Sequence, residues 1–185
     1  MVILKDEKHT PSLSGASAVS TKAMSAGKYL VYATVLCIFA VFIWGAFLSG
    51  NGFGNACGVG GKSLVSSDWP ACNGSYWFPS NWPAQVEYIH RLLSILATVL
   101  LLASNIVVWR MSPRPTAAAQ ILLAAFILLL LEIYFGGAAI NANLNVDVGT
   151  VSLTTATTVF GLLVLAADRM HIFEKASSSP SLPAR

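Results

Sequence analysis

Glu87, His90 and Arg91 fall at i, i+3 and i+4 in the run Glu-Tyr-Ile-His-Arg, a spacing that puts all three side chains on one face of a helix. A carboxylate, an imidazole and a guanidinium grouped in this way can move a proton, hold a metal or neutralise one another. A second carboxylate, Glu132, interrupts an otherwise apolar run. An ionisable group among apolar neighbours costs free energy and is a functional candidate for that reason. Gly136-Gly137 follows it and lets a helix or a flat ligand approach closely. Cys57 and Cys72 form the third set, a pair that can oxidise to a bridge.

Composition says what must position these groups. Of the 185 residues, 55% are hydrophobic and only 10% charged, and the mean hydropathy is +0.67. A soluble domain carries about 25% charged residues, so an ordinary cytosolic globule, a disordered chain and a nucleic-acid reader are all excluded. The formal net charge of +3 does not suggest a polyanion partner. Four apolar runs, at about 29–49, 87–110, 116–140 and 148–168, are each long enough to cross a hydrocarbon layer of about 30 Å as a helix. The expected fold is an all-α integral membrane protein: an antiparallel four-transmembrane-helix bundle with a long, disulfide-bridged outer loop. Residues 1–28 and 170–185 read as disordered tails flanking a membrane domain at 29–169. Of the 11 Lys and Arg, only Lys62 and Arg91 fall in or beside the outer connections. The positive-inside rule therefore puts both termini in the cytoplasm, and the loop at about 50–86 outside a cell membrane.

In that loop Cys57 and Cys72 meet oxidising conditions. Closing a loop of about 15 residues with a disulfide stabilises by roughly 3 kcal/mol; the alternative is two free thiols. Trp69, Trp77 and Trp82 suit the membrane–water interface. Asn73-Gly74-Ser75 is a glycosylation sequon, a pattern common by chance. Asn141, Asn143 and Asn145 read as turn and cap residues, and Cys37 as a small packing residue.

Two readings of the ionisable cluster stay open. In the plain one, Glu87 opens a helix, pairs with Arg91, and His90 is an interfacial side chain. In the sharper one, His90 binds heme iron and Glu87 handles charge or protons beside it. Glu132 divides in the same way, between a structural partner for Arg91 or loop groups and a member of the site. A porphyrin slot could be lined by Leu92, Leu93, Leu96, Phe135 and Gly136-Gly137, with Arg91 a candidate partner for the porphyrin carboxylates.

The ordered segments Gly-Ala-Phe-Leu-Ser-Gly-Asn-Gly-Phe-Gly-Asn-Ala-Cys (45–57), Ser-Asp-Trp-Pro-Ala-Cys-Asn-Gly (67–74) and Glu-Tyr-Ile-His-Arg (87–91) together resemble heme A synthase. Tyr134-Phe135-Gly136-Gly137 is similar to a further segment of that family, and the likeness covers about residues 30–168. The resemblance implies oxidation of a methyl group of heme O to the formyl group of heme A, for terminal oxidases of the respiratory chain. It implies bound heme b and O2, with His90 as iron ligand, Glu87 as catalytic carboxylate and Cys57–Cys72 as the loop pair. Typical members have eight spans in two similar halves. This chain resembles one half, which implies a homodimer or a complementary membrane subunit.

One departure matters. Where the family's fourth helix begins His-Leu-x-x-Ala, this chain reads Ser152-Leu153-Thr154-Thr155-Ala156. His171 lies about 28 Å further along that helix, and His9 lies in the first tail. Serine is a poor heme ligand. Glu132 and Ser152 are therefore candidates for a supporting role around an iron held by His90 alone. The readings are an active enzyme with an open iron position, a catalytically degenerate heme-binding or accessory subunit of a respiratory complex, and a scaffold or small transporter. The cysteine spacing is longer than is usual in the family, which suggests an insertion around residues 58–66.

Overall fold

In a computed structural model, the backbone is described for residues 13–58, 70–141 and 146–178. Four helices account for most of it: α1 (Leu13–Gly50), α2 (Trp82–Arg110), α3 (Thr116–Asn141) and α4 (Val146–Ser178). Each contains a stretch long and apolar enough to cross a membrane: Met24–Gly50, Trp82–Arg110, Thr116–Gly136 and Gly149–Ser177. The protein is a multi-pass membrane protein. Helix α1 reaches back to Leu13 and α4 runs on to Ser178, so helix occupies part of both segments expected as tails. Residues 1–12, Lys62, Trp69, Asn143 and Asn145 lie outside the described residues.

The helices form a ring. Among the described residues α1 packs on α2 and α4, and α3 packs on α2 and α4, while neither diagonal pair brings its Cα atoms within 8 Å. Paired contacts give the directions. Thr34 Oγ1 meets Ser104 Oγ at 2.9 Å, and further along α1 the Gly45 backbone meets the His90 ring. Lys28 Nζ pairs with Glu174 at 2.5 Å, and further along Phe39 stacks on Phe160. In both cases numbering rises on α1 as it falls on the neighbour, so α1 is antiparallel to α2 and to α4. One end of the ring thus carries Lys28 and Glu174, and the other carries the disulfide loop.

Local chemistry starts and satisfies the helices. Asn81 caps α2, its side chain accepting from Ala84 N–H at 2.9 Å, with proline in the first turn. Helix α4 carries Thr154, Thr155, Thr157 and Thr158, whose hydroxyls each donate to the carbonyl four residues back. That internal bond lets a threonine face hydrocarbon without an unpaired donor. Asn105 of α2 donates to the carbonyls of Leu101 and of Leu122 on α3.

The packed interior is a set of stripes. Val31 and Ile38 on α1, Ala97, Leu101 and Val108 on α2, Ala118, Leu122, Ala125 and Leu129 on α3, and Val159, Leu163, Ala166 and Met170 on α4 are all buried. Alanines make up much of the α3 stripe, which lets the α4 backbone come close. Leu92 and Leu96 lie off this stripe, on the outer surface at 45% and 49% exposure. The slot expected from them is corrected here. In a helix apolar all round, only packing separates a lipid-facing leucine from an inward one.

Candidate functional site

Between the packed interior and the buried cluster around the disulfide lies a looser layer. One heptad beyond Ile38 on α1 comes Gly45, and one heptad before Ala97 on α2 comes His90. One heptad beyond Ala125 on α3 comes Glu132, and one heptad before Val159 on α4 comes Ser152. All four are half-buried where the positions a heptad deeper are buried. A step of seven residues returns to nearly the same helix face, about 10 Å further on. A glycine, a histidine, a glutamate and a serine therefore continue the four inward stripes into a more open layer.

The layer is held in two halves. A Cβ built on Gly45 would sit 3.0 Å from His90 Cε1 and 3.6 Å from Nδ1, so the imidazole lies against bare α1 backbone. His90 Nδ1 is buried and has no hydrogen-bond partner. On the other side, Ser152 Oγ donates to Glu132 Oε1 at 2.6 Å, and Glu132 Oε2 is buried without a partner. From the Phe39–Phe160 stack, Gly45 lies about 9 Å along α1 and Ser152 about 12 Å along α4. His90 and Ser152 thus stand at nearly one depth, on the diagonal helices α2 and α4.

One turn nearer the loop, the Glu87–Arg91 pair does a different job. Glu87 Oε1 accepts from Arg91 at 2.6 Å, and Oε2 accepts from the backbone N–H of Cys57 at 2.7 Å. Arg91's other terminal nitrogen donates to the carbonyl of Ala71. Both side chains are nearly fully buried, at 3% and 5%. Cys57 and Cys72 are joined by a disulfide. The ion pair therefore grips the backbone beside each cysteine, and ion pair and bridge close one ring. A buried pair offsets its desolvation only when its remaining hydrogen-bonding positions are filled, and the loop backbone fills them here.

The loop itself is set by Asn73-Gly74. Both residues have positive φ, 52° and 75°, and Cys72 and Ser75 exchange backbone hydrogen bonds across them. This is the asparagine–glycine hairpin turn. Asn73 Nδ2 also donates to Ala56 O at 3.2 Å, so the sequon's amide is engaged within the loop. Tyr88 Oη donates to Tyr76 O at 2.7 Å, and Trp44 Nε1 donates to Val86 O at 2.9 Å. Trp77 and Trp82 are exposed.

The structure thus brings Glu87, Arg91, Cys57 and Cys72 into one assembly, and His90, Glu132 and Ser152 into an adjoining layer. It separates Glu132 from Arg91 by giving each its own partner. Gly45 and Trp44 were not picked out from the sequence. A glycine one heptad above an inward residue was the available signal for the first. Cys37 is half-buried, with Sγ 3.9 Å from Leu93 O. Among the described residues no group of three His, Cys, Asp or Glu could hold a bare metal ion. A heme needs less from the protein, because the porphyrin supplies the equatorial ligands. A half-buried imidazole with one buried, unpartnered nitrogen fits the role of an iron ligand. Among the described residues no second imidazole lies in that layer.

The chain is similar to heme A synthases. It is 31% identical over 115 residues to that of Geobacillus kaustophilus (strain HTA426), covering 61% of this chain and 33% of the relative. It is 30% identical over 145 residues to that of Bacillus pumilus (strain SAFR-032), covering 74% and 44%. The match to that of Geobacillus thermodenitrificans is 26% over 157 residues, covering 84% and 47%. The chain spans about a third to a half of the length of the curated relatives it matches. No solved structure matches it. The COX15-CtaA family, described as cytochrome oxidase assembly protein, matches over residues 4–164, and on that match, which takes in all of the site just described, the chain belongs to this family.

Proposed function

We propose that the protein binds heme through His90 and takes part in heme A formation, the oxidation of a methyl group of heme O to a formyl group. The observation that most supports this is the His90 imidazole, whose buried Nδ1 has no hydrogen-bond partner, in a half-buried layer of a chain whose relatives are named heme A synthases. A bound heme b would supply the iron chemistry that uses O2; the chain's own residues do the rest. His90 holds the cofactor by one ring nitrogen, with Gly45 leaving room for the ring. Taking a methyl carbon to the aldehyde level releases protons, and a carboxylate near that carbon can accept them or balance developing positive charge. Glu87, one turn from His90, is the carboxylate assigned to this role. Arg91 holds Glu87 in place and would be a cation available to the cofactor's carboxylates. The disulfide-bridged loop segments, tied to this pair, frame this end of the bundle.

A site built from one half-sized ring is completed by a second copy of the chain or by a complementary membrane subunit. The charge distribution assigns both termini to the cytoplasm and the loop to the outside of the cell membrane. The test is expression together with a heme O supply, followed by pigment extraction. Heme A in the extract is the expected result. A heme-loaded, reduced protein that never yields heme A removes the enzymatic reading.

A second reading is favoured by Ser152, whose hydroxyl is bonded to Glu132 where another imidazole could have stood. In that reading the chain is a heme-binding accessory subunit of a respiratory complex. Co-purification with an oxidase, together with no turnover, would select it.

A further inference from the structure

We propose that Glu132, positioned by Ser152, is a hydrogen-bond acceptor in the half-buried layer that also holds His90, and that its second carboxylate oxygen holds a water molecule there. This rests on the reading that His90 binds heme. The observations are geometric. Glu132 Oε1 is taken by the Ser152 hydroxyl at 2.6 Å, which fixes the carboxyl group. That hydroxyl has a single proton to give, so it cannot serve Oε2 as well. Oε2 is buried without a partner, a state that costs free energy in an apolar bundle unless a donor arrives.

Among the described residues, Arg91 is bound to Glu87 and Ala71, and Lys28 pairs with Glu174 at the far end of the bundle. The same layer holds His90 at nearly the same depth, on a helix with no Cα within 8 Å of α4 among the described residues. A heme held by His90 would occupy the layer to which Glu132 and Ser152 also belong. The layer is half-open and polar on that side, the conditions a bound water needs. Glu132 is thus a positioning residue: it orders a proton-bearing solvent molecule in the layer it shares with the imidazole, and Ser152 holds it in that attitude.

The test uses the full-length, heme-loaded, reduced protein with carbon monoxide as probe, read by infrared spectroscopy in H2O and D2O. In the wild type the C–O stretching band should move with solvent isotope. Glu132→Gln and Ser152→Ala should keep the heme content, shift the band and lose its isotope sensitivity. Ser152→His provides a second measurement. An imidazole there should convert the spectrum to that of an iron with two histidine ligands. Full heme content with an unmoved band in both variants, or Ser152→His with an unchanged spectrum, overturns the proposal. A folded wild type that takes up no heme overturns the reading beneath it as well, and the absence of colour identifies that case.

Discussion

Removing either partner of the Glu87–Arg91 pair should cost far more than removing both. Arg91→Met strands the Glu87 carboxylate, buried to 3% exposure, with backbone N–H groups of Cys57 and Ala56 beside it but no cation, and leaves the Ala71 carbonyl without its donor. An uncompensated buried charge of this kind costs about 3–5 kcal/mol. Glu87→Gln strands the guanidinium and should cost a similar amount. In the double variant no charge remains, and the glutamine oxygen can still accept from Cys57. The loss is then that of one or two hydrogen bonds, about 1–3 kcal/mol. The two single costs sum to roughly 6–10 kcal/mol, so the coupling energy should be several kcal/mol. Distant sites add to within about 0.5 kcal/mol, and the expected coupling lies well outside that range. The assay is unfolding of the four proteins in mild detergent, followed by tryptophan fluorescence; Trp44 reports directly because its indole bonds to Val86. Additive costs, or single variants that each lose less than about 1 kcal/mol, would refute the view that the pair holds the loop by mutual neutralisation.

Three further outcomes are expected. Cys57→Ser with Cys72→Ser should lower stability by about 3 kcal/mol, the closure entropy of a loop of this length, and the wild type should lose the same amount on thiol reduction, measured by the same unfolding. Gly45→Val should drive a side chain into His90, whose Cε1 already lies 3.0 Å from where a Cβ would stand; overpacking costs about 1–3 kcal/mol, and the heme-to-protein ratio should fall sharply in absorption spectra. His90→Ala should abolish heme uptake while the protein still folds, whereas the double variant Glu87→Gln/Arg91→Met should keep heme and lose heme A formation, both read by pigment extraction.

Features whose causes are local were legible in the sequence. The four spans follow from apolar runs bounded by charges, and the Glu87–Arg91 pair follows from i,i+4 spacing. The cysteine bridge follows from two cysteines in one loop. What escaped is what the chain brings together from afar. Nothing near Glu87 in sequence says that its second oxygen takes the amide of Cys57, or that Arg91 reaches Ala71. Leu92 and Leu96 were misassigned to the slot because hydrocarbon and helix interior select the same residue types, so hydropathy carries no phase. The phase comes from small and polar residues: Ala97, Ser104 and Asn105 mark the inward stripe of α2, and His90 falls in register with them. Asn73-Gly74 was read as a glycosylation signal although the same two residues are the strongest short hairpin signal. Ser152 was noticed for what it is not; its bond to Glu132 required a neighbouring helix to be in place.

The contacts between α1 and α4 bear on how the molecule is made. Lys28 and Ser25 meet Glu174, and Phe39 stacks on Phe160, so α1 is matched to a helix that is synthesised after both α2 and α3. Until α4 arrives, one flank of α1 and one of α3 stay without their protein neighbour, and Glu132 lacks the serine that binds it. A nascent chain with three helices inserted is therefore an unclosed arc with a stranded carboxylate in the bilayer. Such an intermediate is the form that a membrane chaperone or quality-control protease would recognise, and the interval before α4 inserts is the stage of synthesis at which the protein is most exposed to them.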